Sequence, residues 1–161
     1  MGITLRKIEP SDLPLLYAWE NDEASWQDGG VHNPLSQKDL RDYILSSTGD
    51  IYKDGQLRLV AMKGEHAVGV ADLYDFDAHN RRAAVGIYIA PASRGKGYGQ
   101  EALCALLHYA FTHLQVRLLY AFVRTSNAPS MKLFRHFFTE TAPIPNWTLQ
   151  GEAVLFYTNH E

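Results

Sequence analysis

The pattern of hydrophobic and polar residues changes along the chain, and each change marks a new type of predicted element. Ile3 and Leu5 alternate with polar residues as in a short strand, and amphipathic stretches that begin at Ser11 and Ser36 predict two helices. Three apolar runs with turn-forming residues between them come next and predict an antiparallel meander. These runs cover residues 57–63, 67–76 and 83–90.

The second half of the chain contains the clearest helical pattern, in which apolar residues recur at intervals of three and four. They are Leu103, Leu106, Leu107, Ala110, Phe111 and Leu114. A strand is predicted over 116–123, a helix from the capping residue Asn127 to about Phe138, and a last strand over 153–157. The chain order βααβββαβαβ predicts an α/β fold in which helices flank a mixed, mostly antiparallel central sheet.

Length and composition favour one domain over residues 1–161. A hydrophobic content of 46% suits a single core. A length of 161 residues leaves no room for a second domain. The net charge of −3 provides no broad cationic surface, so nucleic acid is not expected as a partner. Cys104 is the single cysteine, and no apolar run approaches about 20 residues, so a cytoplasmic protein without a membrane partner is expected.

A glycine-rich loop, residues 94–99, stands between the apolar run 83–90 and the amphipathic helix. Its glycines let backbone N–H groups approach a ligand, and the helix N-terminus behind them favours an anion. Arg94 and Lys96 add positive charge, so the loop is predicted to hold a pyrophosphate group. No Walker string G-x-x-x-x-G-K-[ST] occurs, and the loop follows a meander rather than the first strand of a dinucleotide-binding unit. An ordinary strand-to-helix turn is the alternative.

This loop and a later segment resemble two motifs of the GNAT superfamily of N-acetyltransferases. The central family motif, R/Q-x-x-G-x-G/A, is matched by Arg94, Gly97 and Gly99, and the later motif N-x-x-S/A-x-x-L-Y resembles residues 127–134. The resemblance covers nearly the whole chain. Its layout is most similar to the spermidine or diamine branch and to the ribosomal-protein N-terminal branch. The resemblance implies a single GNAT-type domain with acetyl-CoA as the co-substrate.

The resemblance also implies which residues hold acetyl-CoA. The pantetheine arm would lie where the fourth strand splays from the fifth, against the backbone of Ile87 and Ile89. Gly86 is unfavourable in a plain strand and predicts a bulge or a close backbone approach, which would aim an N–H group at the thioester oxygen. The residues expected to bind the donor are Ile87, Ile89, Arg94, Gly95, Lys96, Gly97, Tyr98, Gly99, Asn127 and Ser130.

Two positions depart from the catalytic pattern of the family. Ala84 stands near the place where the polyamine branch carries a glutamate, and Phe134 occupies the place of the general-acid tyrosine. Asp72 and Asp75 on the neighbouring predicted strand and Tyr88 on the fourth strand are therefore the catalytic candidates. A solvated sheet face for the aspartates and packing for the tyrosine are the alternatives. Further candidates for the acid are Tyr98 and Tyr120.

The predicted reaction moves an acetyl group from acetyl-CoA to a primary amine by direct attack in a ternary complex. A polyamine or diamine and a protein N-terminal amine are the candidate acceptors, and acidic residues would suit their positive charge. These residues are Asp22, Glu23, Asp28, Asp72, Asp75 and Asp77. Asn33 stands where polyamine enzymes often carry an acidic residue, which weakens a spermidine assignment. Trp26 and Trp147 are candidate walls of the acceptor pocket, with packing as the alternative.

Other properties of the chain are expected from simpler observations. An acetyl-CoA sensor with little or no transferase activity is the alternative function, because Ala84 and Phe134 replace the usual catalytic groups. The seven histidines lack a metal-binding spacing, so no metal is expected. A homodimer is compatible with the sequence, since a C-terminal strand such as 153–157 can pair with a second copy.

Overall fold

A sheet of seven strands forms the centre of the protein in the computed structural model, which describes residues 2–22, 36–149 and 151–159. The strands are β1 Thr4–Lys7, β2 Leu57–Lys63, β3 His66–Asp77, β4 Arg82–Ile89, β5 Leu118–Arg124, β6 Thr139–Thr148 and β7 Gly151–Asn159. The helices within the described ranges are α1 Leu13–Glu20, α2 Gln37–Ser46, α3 Ile51–Asp54, α4 Tyr98–Thr112 and α5 Ala128–Phe137.

The strands lie in the order β1-β2-β3-β4-β5-β7-β6. The contact between β4 and β5 is parallel, whereas the other pairings of the described sheet are antiparallel. Parallel pairing follows from the connection, because β4 leads into β5 through the long helix α4. The predicted fold class, an α/β domain with a mixed and mostly antiparallel sheet, is confirmed.

The parallel ladder between β4 and β5 is short. It consists of the pairs Arg82↔Leu118, Ala83↔Leu119 and Ala84↔Tyr120. Beyond them, β4 stays paired with β3 as far as Ile89, and β5 stays paired with β7 as far as Arg124. The two strands therefore diverge after Ala84 and Tyr120, and a wedge opens in the middle of the sheet.

Helices cover both faces of the sheet. On the first, which we name the α4 face, the apolar stripe of α4 packs with α5 against the strands, and Leu103 and Leu106 have an exposed fraction of 0%. Burying a leucine in this way contributes about 2 kcal/mol. On the opposite face, named the α1 face, Leu16 of α1 and Leu40 of α2 pack with Val70 of β3. The helical stripe predicted for α4 is confirmed.

β6 is an element that the sequence pattern does not predict. It contains Pro143 and Pro145, and proline cannot donate a ladder hydrogen bond, so no strand is expected there. The structure places β6 at the edge of the sheet, paired with β7, where prolines are tolerated. The four-residue helix α3, capped by Asp50, is a second unpredicted element.

The C-terminal strand β7 includes the predicted strand 153–157 and lies between β5 and β6. Its residues pair with β5 on one side and with β6 on the other. Because both of its edges are paired within the chain, β7 is not available to a strand of a second copy. Within the described chain this strand therefore has a partner on each side, and β6 is the strand at this edge of the described sheet.

The start of α1 also differs from the prediction. Ser11 lies inside a 3-10 turn, Pro10–Asp12, that precedes the helix. The buried carboxylate of Asp12 accepts hydrogen bonds from Arg6 at 2.7 and 2.8 Å and from the backbone N–H of Glu9 at 2.7 Å. These bonds, mainly those from Arg6, lower the pKa of Asp12 below its usual value of 3.8. The ion pair thus fixes the connection between β1 and α1.

Candidate active site

A cleft of about 850 Å³ opens at the wedge between β4 and β5. It reaches the glycine-rich loop at the N-terminus of α4 and a group of charged side chains, including Glu20, Arg58 and Asp72, on the α1 face. Nine of the ten residues expected to bind the donor line it, and the exception is Lys96, which is exposed. The structure therefore gathers the predicted donor residues around one opening in the sheet.

The loop itself has the backbone geometry of an anion cradle. Gly95 and Gly97 have φ angles of 77° and 82°, in the left-handed region that favours glycine. A Cβ added to either one meets no atom within 4 Å among the described residues beyond its chain neighbours, so the space beside the backbone is open. Gly97 is the N-cap residue of α4 and, having no side chain, makes no cap hydrogen bond to the first N–H groups of the helix, which can therefore bind an anion. The residues present fit a pyrophosphate group.

Arg94 folds back from the loop across the end of β4. Its Nε donates to the carbonyl oxygen of Ile89 at 2.7 Å, and its Nη2 lies 3.6 Å from the carboxylate of Asp22. The guanidinium also lies over the ring of Tyr88, 5.5 Å from its centroid. The Tyr88 hydroxyl donates to the same carboxylate at 2.9 Å. Arg94 thus lies between the donor loop and the end of α1.

The free edge of β4 faces the wedge. The N–H of Ala90 donates to the carbonyl of Val68 at 2.8 Å, so this position hydrogen-bonds toward β3. Backbone direction alternates along a strand, which turns the N–H and C=O groups of Ile87 and Ile89 away from β3 and toward the wedge. The bond from Arg94 to the Ile89 carbonyl agrees with this direction. An extended ligand in the wedge would find unpaired ladder groups on β4.

Gly86 lies in regular strand rather than in a bulge of the β3–β4 ladder. It pairs with Asp72 in unbroken register. The irregularity of this ladder lies instead between Tyr74 and Asp77, where Asp75 has a φ of 47°. The bulge expected at Gly86 is therefore wrong for this ladder. An added Cβ at Gly86 would lie 3.6 Å from the Tyr74 ring and 3.8 Å from the Cβ of Asp72, so the glycine keeps a space open beside these side chains on the α1 face.

Asn127 and Ser130 border the cleft at the start of α5. The side-chain oxygen of Asn127 accepts a hydrogen bond from the backbone N–H of Ser130 at 3.2 Å, which makes Asn127 the helix cap. Its amide nitrogen is the group of this side chain that can donate to a ligand. The cap therefore fixes the side chain at the rim of the wedge.

An ion-pair network that the sequence analysis does not predict surrounds Arg58. Its Nε and Nη2 donate to the two carboxylate oxygens of Asp72 at 2.8 and 2.9 Å, and its Nη1 donates to Glu20. Both carboxylates raise the pKa of Arg58 further above its usual range, against the opposing effect of burial. A signal did exist in the sequence, since Arg58 and Asp72 lie on adjacent strands of the predicted meander. We name Glu20, Arg58 and Asp72 the Arg58 network.

The two positions that depart from the family pattern are buried. Ala84 is 2% exposed and Phe134 is 5% exposed. The Phe134 ring packs against Phe138 and Phe156, with centroid distances of 5.1 and 5.9 Å, and also borders the cleft. A hydrocarbon ring therefore occupies the place of the family acid, and the surrounding core explains why an apolar side chain is stable there.

The catalytic candidates lie in different surroundings. Asp72 lines the cleft and is held by Arg58, and Tyr88 lines the cleft with its hydroxyl on Asp22. Asp75 is exposed and is not among the residues that line the cleft. Burial, followed by the charges of Asp75 and Asp72, raises the pKa of Tyr74 above its usual range, so this cleft-lining phenol stays protonated at neutral pH.

Asp77, another of the predicted acidic residues, is described by the structure but does not line the cleft. The carboxylate of Asp77 accepts hydrogen bonds from Asn80 and pairs with Arg82, so it holds the β3–β4 turn. Glu23, Asp28, Asn33 and Trp26 lie outside the described residues. Among residues 2–22, 36–149 and 151–159, no group of three or more His, Cys, Asp or Glu could hold a metal ion. None of the described helices is both long enough and apolar enough to cross a membrane.

Comparison with known proteins agrees with this arrangement. A family model described as "Acetyltransferase (GNAT) domain" matches residues 3–137. The "Putative phosphinothricin acetyltransferase YwnH" of Bacillus subtilis is 44% identical over 149 residues, which are 89% of this chain and 88% of that protein. The spermidine N(1)-acetyltransferase of Vibrio cholerae is 24% identical over 136 residues, which are 82% of this chain and 75% of that protein.

A solved structure shows the same fold over nearly the whole chain. The crystal structure of spermidine N-acetyltransferase from Vibrio cholerae in complex with CoA and spermine superposes with a TM-score of 0.88. The superposition covers 98% of this chain and 95% of that chain, at 22% sequence identity. The described strands and helices therefore correspond to those of a protein whose structure contains CoA.

Proposed function

The chain belongs to the GNAT acetyltransferase family, a class of acetyl-CoA-dependent N-acetyltransferases, and from this premise we propose that it acetylates a primary amine by direct attack in a ternary complex. The cleft through the sheet is the observation that carries this proposal, because it joins an anion-binding loop to carboxylates on the α1 face. Acetyl-CoA can then enter beside the loop while an amine approaches the thioester from the α1 face.

The donor is held by backbone groups more than by side chains. The pyrophosphate lies on the N–H groups at Gly95, Gly97 and the start of α4, with Arg94 and Lys96 supplying positive charge. The pantetheine arm runs along the free edge of β4, where Ile87 offers its N–H and C=O groups and Ile89 offers its N–H, since Arg94 already donates to the Ile89 carbonyl. Asn127, Ser130 and Tyr98 border the arm. The N–H groups of this edge can also donate a hydrogen bond to the thioester oxygen as that oxygen gains negative charge.

The acceptor must lose a proton before it reacts. An alkylamine with a pKa near 10.4 is protonated at pH 7, and freeing its lone pair costs roughly 4–5 kcal/mol. The carboxylates of Glu20 and Asp72 attract the ammonium group to the wedge, and the proton leaves to solvent. The amine nitrogen then bonds to the carbonyl carbon, the nitrogen loses its second proton to solvent, and the bond from carbon to sulfur breaks to give the amide and a thiolate. The thiol that leaves has a pKa of about 8.5, so water can protonate it without an acid at Phe134.

The names of the relatives indicate the acceptor class. Spermidine and phosphinothricin both carry a primary amine, and two of the compared proteins are named for these compounds. A polyamine or diamine and a protein N-terminal amine remain the candidate acceptors that the family layout favours. Protein localisation in the cytoplasm, where acetyl-CoA and amines meet, is part of the proposal.

Thiol release and thermal stability together test the proposal. The purified protein is mixed with acetyl-CoA and a panel of polyamines, amino acids and N-terminal peptides, and thiol release is followed with and without each amine. Release that depends on an amine supports the enzyme. Stabilisation by CoA without turnover of any amine supports an acetyl-CoA sensor instead. If neither CoA nor acetyl-CoA raises the melting temperature, the donor site itself is wrongly assigned.

A further inference from the structure

One row of residues crosses the α1 face at the wedge. Arg58 pairs with Asp72, and Asp72 pairs with Gly86. Continuing the register of Ala84↔Tyr120 by two residues places Phe122 of β5 opposite Gly86, on the other side of the opening. An amine that enters the cleft beside Gly86 therefore has a carboxylate on one side and a phenyl ring on the other.

The carboxylates among the described residues that line the cleft provide little negative charge for a polycation. Among the described residues that line the cleft, the carboxylates are Glu20 and Asp72, and both already pair with Arg58. The Arg58 network therefore carries one net negative charge, which matches a single ammonium group. A polyamine with three or four positive charges would need further carboxylates along its length.

The opposite side of the opening is an aromatic wall. The rings of Phe122 and Trp147 stack at a centroid distance of 4.2 Å and an interplanar angle of 18°. Their exposed fractions are 38% and 47%. Tyr74, which lies on β3 with Asp72 and beside Gly86, is 40% exposed. Phe122 and Tyr74 both line the cleft. Exposed aromatic side chains that continue a binding cleft provide contact area for a flat apolar group.

We propose that the acceptor is a primary monoamine with an aromatic body, whose ammonium group contacts the Arg58 network and whose ring rests on Phe122 and Trp147. This inference rests on the proposed function and narrows its acceptor. It predicts that arylalkyl monoamines react better than linear polyamines. The Arg58 network attracts one ammonium group. Contact with Phe122 and Trp147 then favours monoamines that carry an aromatic ring over those that do not.

Steady-state kinetics with matched amines test this inference. With saturating acetyl-CoA, kcat/KM is compared for 2-phenylethylamine, n-hexylamine, putrescine and spermidine. We expect 2-phenylethylamine to be the best of the four. Phe122→Ala and Trp147→Ala are expected to raise its KM by roughly tenfold each, with a smaller effect on n-hexylamine. Phe122→Leu, which retains apolar volume, provides a variant with a preserved fold for the same comparison.

The matched control is Tyr157→Ala, which removes a ring that is 37% exposed and pairs with Tyr120 but does not line the cleft. This variant is expected to retain the kinetics of the wild type. The inference is overturned if spermidine or putrescine is the better substrate, or if Phe122→Ala and Trp147→Ala change the kinetics no more than Tyr157→Ala does.

Calorimetry separates this inference from the proposed function. The heat of binding of 2-phenylethylamine to the protein–CoA complex is measured for the wild type and for Phe122→Ala. Binding that weakens in the variant supports the acceptor class even if thiol release is absent, in which case the transferase proposal alone fails. Turnover of other amines without any binding of 2-phenylethylamine leaves the transferase proposal intact and contradicts the aromatic acceptor.

Discussion

Arg58 shows how one side chain sets the charge of a whole region. Without it, Glu20 and Asp72 would place two negative charges together at partly buried positions, each about one-fifth exposed. With it, both carboxylates are bound and oriented, and the site keeps a single negative charge. A neutral side chain at this position would remove the cation that both carboxylates contact, which costs more than the ion pair itself contributes.

Arg58→Met should therefore destabilise the protein by roughly 2–4 kcal/mol, measured by urea unfolding at pH 7. The matched control is Arg82→Met, because Arg82 also pairs with an aspartate of β3 but is 48% exposed. Its cost should stay within about 1 kcal/mol. Equal losses in the two variants would show that the Arg58 network does not behave as a partly buried ion pair.

Asp12 gives a prediction that depends on pH. Because Arg6 lowers the pKa of the folded carboxyl, the folded state binds this proton more weakly than the unfolded state does. The resulting stability is complete above the unfolded pKa and is lost as the pH falls through the folded pKa. Asp12→Asn should thus cost about 2 kcal/mol at pH 7 and progressively less below about pH 4. A cost that does not change with pH in chemical unfolding would exclude this ion pair as its source.

At the scale of elements, the junction of β4, the glycine-rich loop and α4 forms the proposed site for acetyl-CoA. The strand ends at Ile89, the backbone then takes left-handed angles at Gly95 and Gly97, and α4 begins at Tyr98. The fifteen-residue helix is anchored by its buried apolar stripe, so its N-terminus is fixed in place. Rigid placement of the N–H groups reduces the entropy lost when an anion binds.

Gly97→Trp should abolish CoA binding while the protein stays folded, because the indole would fill the space proposed for the pyrophosphate. Its matched control is Gly64→Trp, in the β2–β3 turn, where the φ of 60° and the open surroundings impose a similar backbone cost. We expect both variants to lose about 1–2 kcal/mol of stability. Isothermal titration with CoA then distinguishes them, and unchanged affinity in Gly97→Trp would refute the loop assignment.

Most elements were predictable because local patterns specify them. Ser36 caps α2 by accepting from the N–H of Asp39 at 3.0 Å, and Asn127 caps α5, both as expected from sequence. The sequence indicates that the strands of Arg58 and Asp72 are neighbours but not that these two residues pair, because the register depends on an irregularity between Ala61 and Met62. Long-range geometry of this kind, like the edge position of β6, is decided by tertiary packing.

At the scale of the whole molecule, the wedge interrupts the sheet at its centre. Three residue pairs join β4 to β5, and the remaining groups on this edge of β4 have no strand opposite them. A bound pantetheine arm would supply partners for these groups. The pantetheine arm would then replace the hydrogen bonds that a continuous β4–β5 ladder would make, so the wedge would not stay unpaired when acetyl-CoA is bound.

Amide hydrogen exchange followed by NMR tests this view residue by residue. Without ligand, the amides of Ile87 and Ile89 should exchange faster than that of Tyr88, whose N–H points toward β3. Acetyl-CoA should slow exchange at Ile87 and Ile89, with a smaller change at Tyr88. Equal protection of the three amides before ligand is added would contradict the assigned edge of β4.

The position of the short parallel ladder has a consequence for how the chain is divided. On one side of it lie β1 to β4, all from the first 89 residues, and on the other lie β5 to β7, all from residue 118 onward. Each side is a continuous stretch of chain with its own antiparallel subsheet, and α4 links the two. Relative movement of these halves therefore requires the rupture of few hydrogen bonds within the sheet. What holds the two halves together is mainly the apolar core that they share, which includes Leu73 from the first half and Phe156 from the second.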